Sequence, residues 1–179
     1  MSLDRGKQGS EVRLAGGGTD LRIEPIGLVR SPFASPTGVP VQPALAGPED
    51  VGTVEIYEQF AAGLADLDGF ERIWVISWFH RAGLVHLRVI PYLDLRERGL
   101  FATRAPSRPN PIGISAVRLL QREGRILHVA DLDLLDGTPV LDLKPYAPAF
   151  DVFPVSRQGW LEDRARDGGR ADGRFAADH

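Results

Sequence analysis

Short runs in which apolar and polar residues alternate dominate the middle of the chain. The runs cover residues 21–30, 51–60, 70–80, 85–93, 114–124, 125–137 and 140–144. Alternation with a period of two is typical of strands that bury one face. The run 70–80, FERIWVISWFH, is apolar at both parities, which predicts a strand buried on both faces. Glu123-Gly124-Arg125 separates two runs and predicts a hairpin turn.

Six or seven short strands with little helix predict a mainly β fold, a small antiparallel β-barrel with long proline-rich loops. The loops at 31–50 and 91–111 are too long for simple connections, and their prolines fix the backbone, so a functional role is expected. Residues 1–20 are polar and glycine-rich, and residues 156–179 are charged. Both predict disordered tails, because they bury too little apolar surface to offset ordering entropy. The barrel domain is therefore assigned to residues 21–155.

Composition narrows the functional classes. The chain has 179 residues, of which 43% are hydrophobic, enough for the core of one domain. It has no cysteine, no apolar run of membrane-spanning length and no secretory signal pattern, so we expect a cytoplasmic protein that does not contact a membrane. None of its 4 histidines has zinc-ligand spacing, so no metal is expected. The net charge of −3 leaves any anion or RNA site to a local basic patch.

The loop FATRAPSRPNPIG, residues 101–113, is the strongest candidate for such a patch. Arg104 and Arg108 carry guanidinium groups suited to carboxylate or phosphate, and the prolines between them stiffen the backbone. Asn110 can bond its own chain or a ligand. Charged donors held in advance lower the ordering cost of binding, which favours a recognition loop. A stiff connection with solvated arginines is the structural alternative.

Three other places carry weaker signals. Gln42, in the first proline-rich loop, offers an amide that can recognise a ligand edge. His80 and Arg81 follow an apolar run, where a barrel strand meets a loop. The turn DGTP at 136–139 and the segment KPY at 144–146 add further proline-held polar groups. Each has a structural alternative: a bracing loop, a histidine bonded to a backbone carbonyl, and an ordinary turn.

Five blocks in this order make a more specific pattern than composition does: IGLVRSPF, QPA, GFERIWVISWFH, FATRAPSRPNPIG and LDLLDGTPVLDLKPY. Together they resemble the TsaA-like family, also called TrmO, of tRNA methyltransferases. The resemblance implies a small antiparallel barrel and S-adenosyl-L-methionine as cofactor. It also implies methylation at N6 of threonylcarbamoyladenosine, next to the anticodon in the tRNA anticodon loop. The family is dimeric, with a cofactor pocket shared between subunits, so a homodimer is expected.

The resemblance also implies site residues. Cofactor contacts are expected at Gln42, Pro43, Ala44, His80, Arg81, Arg104, Ile114, Asp136, Gly137, Thr138 and Pro139. Substrate contacts are predicted at Arg104, Arg108, Asn110, Lys144 and Tyr146. His80 and Asp136 are the candidate catalytic residues, as acceptors of the substrate proton.

Two positions depart from the family pattern. Glu71-Arg72 stands where Ser-His is usual, and Ala105 stands where a serine is usual. Two other functions stay open beside the tRNA methyltransferase. One is a non-catalytic barrel that binds RNA or an adenosyl compound, and the other is a methyltransferase for a different small substrate.

Overall fold

The computed structural model describes residues 10–13, 20–162, 164 and 169–176. Its strands are β1 Ser10–Arg13, β2 Asp20–Ile23, β3 Gly27–Arg30, β4 Val51–Ile56, β5 Arg72–Trp78, β6 Arg88–Val89, β7 Arg98–Gly99, β8 Ile112–Glu123, β9 Ile126–Ala130 and β10 Pro139–Pro145. Six of them close a barrel in the order β10-β3-β4-β9-β8-β5. Every neighbouring pair in the barrel is antiparallel. The predicted mainly β barrel is therefore confirmed.

Helix is scarce, as the sequence predicts. The α-helix is α1 Pro148–Asp151, and the 3₁₀ turns are Pro43–Leu45, Glu58–Leu64, Leu67–Gly69, Leu100–Ala102 and Gly159–Leu161. In the part of the chain that the structure describes, no helix combines the length and apolar character that crossing a bilayer requires. β1 and β2 pair with each other, as do β6 and β7.

The core fills the barrel with inward-facing aliphatic side chains. Fully buried members include Val29, Val54, Ile56, Ile73, Val75, Val117, Leu127, Val129, Leu132, Leu134 and Val140. In β5, the buried positions alternate with half-buried ones such as Trp74 and Trp78. The prediction that β5 is buried on both faces is thus wrong: its inner face lines the core, and its outer face is half-buried, with the Trp74 ring 5.4 Å from the ring of Tyr146.

Strand direction brings three long connections to one end of the barrel. β5 ends at Trp78, which pairs with Ile112 at the start of β8. β3 ends and β4 begins at this same end, and so do the end of β9 and the start of β10. Connections 31–50, 79–111 and 131–138 therefore share one end of the barrel, called the loop rim below. Connections 31–50 and 79–111 are called the first and second rim loops. The opposite end carries the predicted hairpin, which is confirmed: Gly124 turns it with a φ of 60°.

The two predicted tails are only partly described. Within 1–20, Ser10–Arg13 forms β1, and the other residues before Asp20 lie outside the described residues. Within 156–179, residues 169–176 run across the loop rim and contact two of its loops. This segment is called the C-terminal strap below.

Candidate functional site

A cavity of about 770 Å³ opens at the loop rim. All three rim connections, the start of β8 and the C-terminal strap contribute to its lining, so it is called the rim cavity. Its volume falls within the range of small-molecule and cofactor sites, roughly 300–1,000 Å³. The predicted site residues in its lining are Gln42, Ala44, His80, Arg81, Arg104, Arg108, Ile114 and Thr138. Residues far apart in sequence therefore meet in one place.

The remaining predicted residues are not among those that line the rim cavity. They are Pro43, Asn110, Asp136, Gly137, Pro139, Lys144 and Tyr146. The amide of Tyr146 donates to the carbonyl of Arg72, at the start of β5, whereas the cavity lies beyond the end of that strand. Lys144 Nζ lies 2.7 Å from Asp142 Oδ2. The structure therefore does not bring Lys144 and Tyr146 to the other site residues, and their substrate contacts stay predictions.

Arg104 and Gln42 join two rim loops across the cavity. Arg104 Nη1 donates a hydrogen bond to Gln42 Oε1, and Gln42 Nε2 donates to the carbonyl of Val41 at 2.7 Å. The Arg104 side chain is exposed, so the rest of its guanidinium group is accessible from the cavity. A planar fork of N–H donors held in this way suits a carboxylate or phosphate.

Arg81 and Arg108 hold loop backbone in place. Arg81 Nη1 donates to the carbonyl of Ala34 at 2.6 Å, tying the first rim loop to the second. Arg108 Nη1 donates to the carbonyl of Thr103 at 3.0 Å, and its guanidinium carbon lies 5.6 Å from the centre of the Phe101 ring. Arg108 thus stabilises its own loop in this structure. Its substrate contact stays a prediction.

The two candidate proton acceptors have different surroundings. Burial lowers the pKa of His80, the Arg81 guanidinium lowers it further, and Asp136 acts in the opposite direction. His80 is therefore neutral at pH 7 and has a ring nitrogen free of a proton. Asp136 Oδ1 accepts a hydrogen bond from the Ser31 amide at 3.2 Å, and the Asp136 amide donates to Phe33 at 2.9 Å. Asp136 holds the first rim loop against the 131–138 connection.

Asp133 is a cavity residue that sequence reasoning missed. As a residue it keeps some exposed surface, yet its Oδ1 atom is buried and has no hydrogen-bond partner among the described residues. Burial raises the pKa of Asp133 to about 7, although a hydrogen bond from Ser115 and the charge of Arg104 act to lower it. The sequence signal was ambiguous because Asp133 sits among alternating apolar residues, which is equally typical of a solvent-facing position.

The C-terminal strap is the second feature that sequence reasoning missed. It is fixed to the first rim loop by three backbone hydrogen bonds, including Ala171 amide to Val39 carbonyl at 2.7 Å. Arg170 Nη1 lies 2.8 Å from Asp50 Oδ1, and the Asp50 side chain is almost completely buried. The amide of Gly83, in the second rim loop, donates to the carbonyl of Phe175 at 3.0 Å. The strap therefore connects two loops that both line the cavity.

Phe175 anchors the strap. It is 7% exposed and packs with Val89, Leu100 and Ala105, and its ring lies 5.0 Å from the ring of Tyr92 in an edge-on arrangement. Phe175 itself lines the rim cavity. Nothing in the charged composition of residues 156–179 indicated this, because an aromatic residue isolated among charged and small neighbours is a weak signal for packing.

Within residues 10–13, 20–162, 164 and 169–176, no group of three histidine, aspartate or glutamate side chains is arranged to hold an ion.

A closed antiparallel barrel whose loops enclose a cavity at one rim defines a ligand-binding barrel with its site in the loops. The sequence model of the tRNA-methyltransferase O N-terminal domain matches residues 28–152. The chain belongs to this family. The matched range includes the barrel strands except Gly27, the first residue of β3, and all three rim connections, and it ends before the C-terminal strap.

Relatives and solved structures agree with this assignment. A probable S-adenosyl-L-methionine-binding protein of Pyrococcus abyssi is 52% identical over 152 residues, which cover 82% of each chain. A tRNA (adenine(37)-N6)-methyltransferase of Mus musculus is 33% identical over 138 residues, 74% of this chain and 32% of the relative. The crystal structure of TrmO from Pseudomonas aeruginosa matches with a TM-score of 0.64 and 41% identity over 77% of this chain. This chain spans 61% of the Pseudomonas structure.

Proposed function

We propose that this chain methylates N6 of threonylcarbamoyladenosine next to the anticodon of tRNA, with S-adenosyl-L-methionine as cofactor. The coarser part, a methyltransferase of the TrmO family that uses S-adenosyl-L-methionine, follows from family membership and from the names of its relatives. The finer part, with the threonylcarbamoyl group, a homodimer and a cytoplasmic location, belongs to the proposal. The observation that carries it is the convergence of Gln42, His80, Arg81 and Arg104 on one cavity.

The residues of the rim cavity suit the proposed cofactor. S-adenosyl-L-methionine combines a flat adenine, a ribose and an amino-acid part that carries a positive ammonium group and a negative carboxylate. Apolar walls such as Ile114, Leu134 and Phe79 suit the ring, and the exposed Arg104 fork suits the carboxylate. The buried Asp133 oxygen without a partner calls for a donor from the ligand. When bound, the cofactor supplies an activated methyl group and its own leaving group.

The protein's contribution is then to position the reacting groups and to accept a proton. The lone pair of a carbamoylated N6 is delocalised, so loss of the N6 proton makes that nitrogen more reactive. His80 lines the rim cavity and is the stronger candidate acceptor, because its lowered pKa leaves it unprotonated at pH 7. Asp136 is held by the Ser31 amide and stays a weaker candidate. Arg104 is placed to bind a carboxylate or phosphate of the substrate if the cofactor leaves it free.

Incubation of the purified protein with tRNA and methyl-labelled S-adenosyl-L-methionine, followed by nucleoside mass analysis, tests the proposal. We expect label in methylated threonylcarbamoyladenosine, and none with tRNA from cells that cannot make the threonylcarbamoyl group. Label in methyladenosine that lacks the threonylcarbamoyl group would contradict the proposal that threonylcarbamoyladenosine is the substrate. Binding of S-adenosyl-L-methionine without label in tRNA would favour the non-catalytic barrel, in line with the name of the Pyrococcus relative.

A further inference from the structure

Asp133 combines three properties that indicate what it binds. It lines the rim cavity, its Oδ1 atom is buried, and that atom has no hydrogen-bond partner among the described residues. Buried carboxylate oxygens in folded proteins are nearly always hydrogen-bonded, because an unpaired one has lost its hydrogen bonds to water without replacement. An acceptor kept unpaired beside a cavity therefore points to a ligand that brings a donor.

The groups around Asp133 specify the donor's chemistry. The Ser115 side chain, from β8, hydrogen-bonds the carboxyl group, and the Arg104 charge acts on it from the second rim loop. A ligand carboxylate or phosphate has no hydrogen to donate to the ionised Asp133 carboxylate, and only the protonated carboxyl group could donate a hydrogen bond to such an anion. An N–H group satisfies the oxygen, and a positively charged one also gains from the carboxylate charge.

The titratable and charged side chains that line the same cavity are Asp133, His80, Arg81, Tyr92, Arg104 and Arg108. Burial raises the pKa of Tyr92 to about 12, so its hydroxyl stays protonated near neutrality. The pKa of His80 is lowered from its ordinary value of 6.5, so this ring is neutral at pH 7. Arginine keeps its charge throughout this range. Asp133 is therefore the lining group expected to change protonation when a ligand arrives at neutral pH.

We propose that Asp133 Oδ1 is the acceptor for an N–H group of the ligand in the rim cavity, and that the Asp133 carboxyl group releases its proton to solvent as this group binds. The carboxyl O–H bond breaks, the proton passes to buffer, and an N–H···O hydrogen bond forms in its place. No other covalent bond changes. This inference rests on the proposed function, which supplies two sources of N–H groups: the amines of the adenosyl cofactor and N6 of the target base.

Calorimetric titration with S-adenosyl-L-homocysteine, in buffers of different ionisation enthalpy, measures the protons released on binding. At pH 7 the wild type is expected to release about half a proton per site, falling towards zero about 1.5 pH units higher, where Asp133 is already ionised. Asp133→Asn is expected to abolish this release. Asp142→Asn, which changes a carboxylate outside the cavity, is expected to release as the wild type does. Unfolding midpoints at pH 7 verify that both variants are folded.

The second arm adds a threonylcarbamoylated anticodon stem-loop to protein saturated with S-adenosyl-L-homocysteine. Proton release on binding S-adenosyl-L-homocysteine assigns the N–H donor to the cofactor. Proton release only when the stem-loop binds assigns that donor to the RNA base, and either result supports the inference. Equal release by wild type and Asp133→Asn in both arms overturns it, even if binding is tight. If S-adenosyl-L-homocysteine fails to bind the wild type, the proposed cofactor is wrong, and titration with the stem-loop alone decides the inference by the same comparison.

Discussion

Relative to the wild type, Asp133→Asn gains stability as the pH rises from about 4 to about 8. The folded-state pKa of Asp133 is about 7, raised from an ordinary value of 3.8 by burial. The folded wild type therefore holds a proton that the unfolded chain has lost. Its stabilising effect is complete below the unfolded pKa and disappears as the pH rises through the folded pKa. Asparagine does not titrate, so the variant is spared this loss.

The full change in relative stability is on the order of 4 kcal/mol, because each pKa unit corresponds to about 1.4 kcal/mol. Urea unfolding of both proteins across the pH series measures it. The internal control is an additional point well below pH 3.8, where the carboxyl group is protonated in both the folded and the unfolded state. Parallel stability curves for the two proteins would show that the Asp133 carboxyl group is not buried as described.

Phe175→Ala weakens both the C-terminal strap and ligand binding. Removal of a buried phenylalanine side chain costs about 3–5 kcal/mol, and here the loss falls on the contacts with Val89, Leu100 and Tyr92. Because the strap connects the two rim loops, we expect the affinity for S-adenosyl-L-homocysteine to fall by about tenfold or more. Thermal unfolding and calorimetric titration measure the two effects.

Phe153→Ala is the matched control, because it removes the same atoms from a side chain that is 75% exposed. Its stability is expected to stay within about 0.5 kcal/mol of the wild type, with unchanged affinity. Equal effects of the two substitutions would contradict the assignment of the strap to the cavity wall. Loss of stability in Phe175→Ala with full affinity would limit the strap to a structural role.

The barrel could be predicted because its signal is local. Alternating residues such as Val54, Ile56 and Leu127 indicated which face of their strands is inward, and glycine at the β8–β9 turn indicated that hairpin. The half-buried outer face of β5 could not be predicted, since Trp74 and Trp78 are apolar in either case. What covers a sheet's outer face depends on the rest of the chain, which periodicity does not describe.

The candidate site, like the fold, could be predicted from the sequence only in part. The family blocks indicated Gln42, His80 and Arg104, which line the rim cavity, and also Lys144 and Tyr146, which lie towards the other end of β5. The contacts predicted for all five residues stay predictions. Asp133 was missed because its neighbours in the cavity, Ser115 at the start of β8 and Arg104 in the 79–111 connection, are distant from it in sequence.

The C-terminal strap was missed because composition assigns a charged segment to solvent. Two of its charged side chains instead contact residues of the rim loops. Arg170 pairs with Asp50, and the guanidinium carbon of Arg174 lies 5.3 Å from the centre of the Tyr92 ring. Such pairs between residues distant in sequence leave no periodic signal. A segment of this kind is recognised only when the loops it contacts are known.

The central claim is that the rim cavity binds an adenosyl cofactor. Its most direct test is calorimetric titration of S-adenosyl-L-homocysteine into the wild type and into Arg104→Ala, with Arg118→Ala, outside the cavity, as the control. We expect one molecule bound per chain, with the affinity reduced by about tenfold or more in Arg104→Ala and unchanged in the control. No binding to the wild type, or equal binding by all three proteins, would contradict the claim.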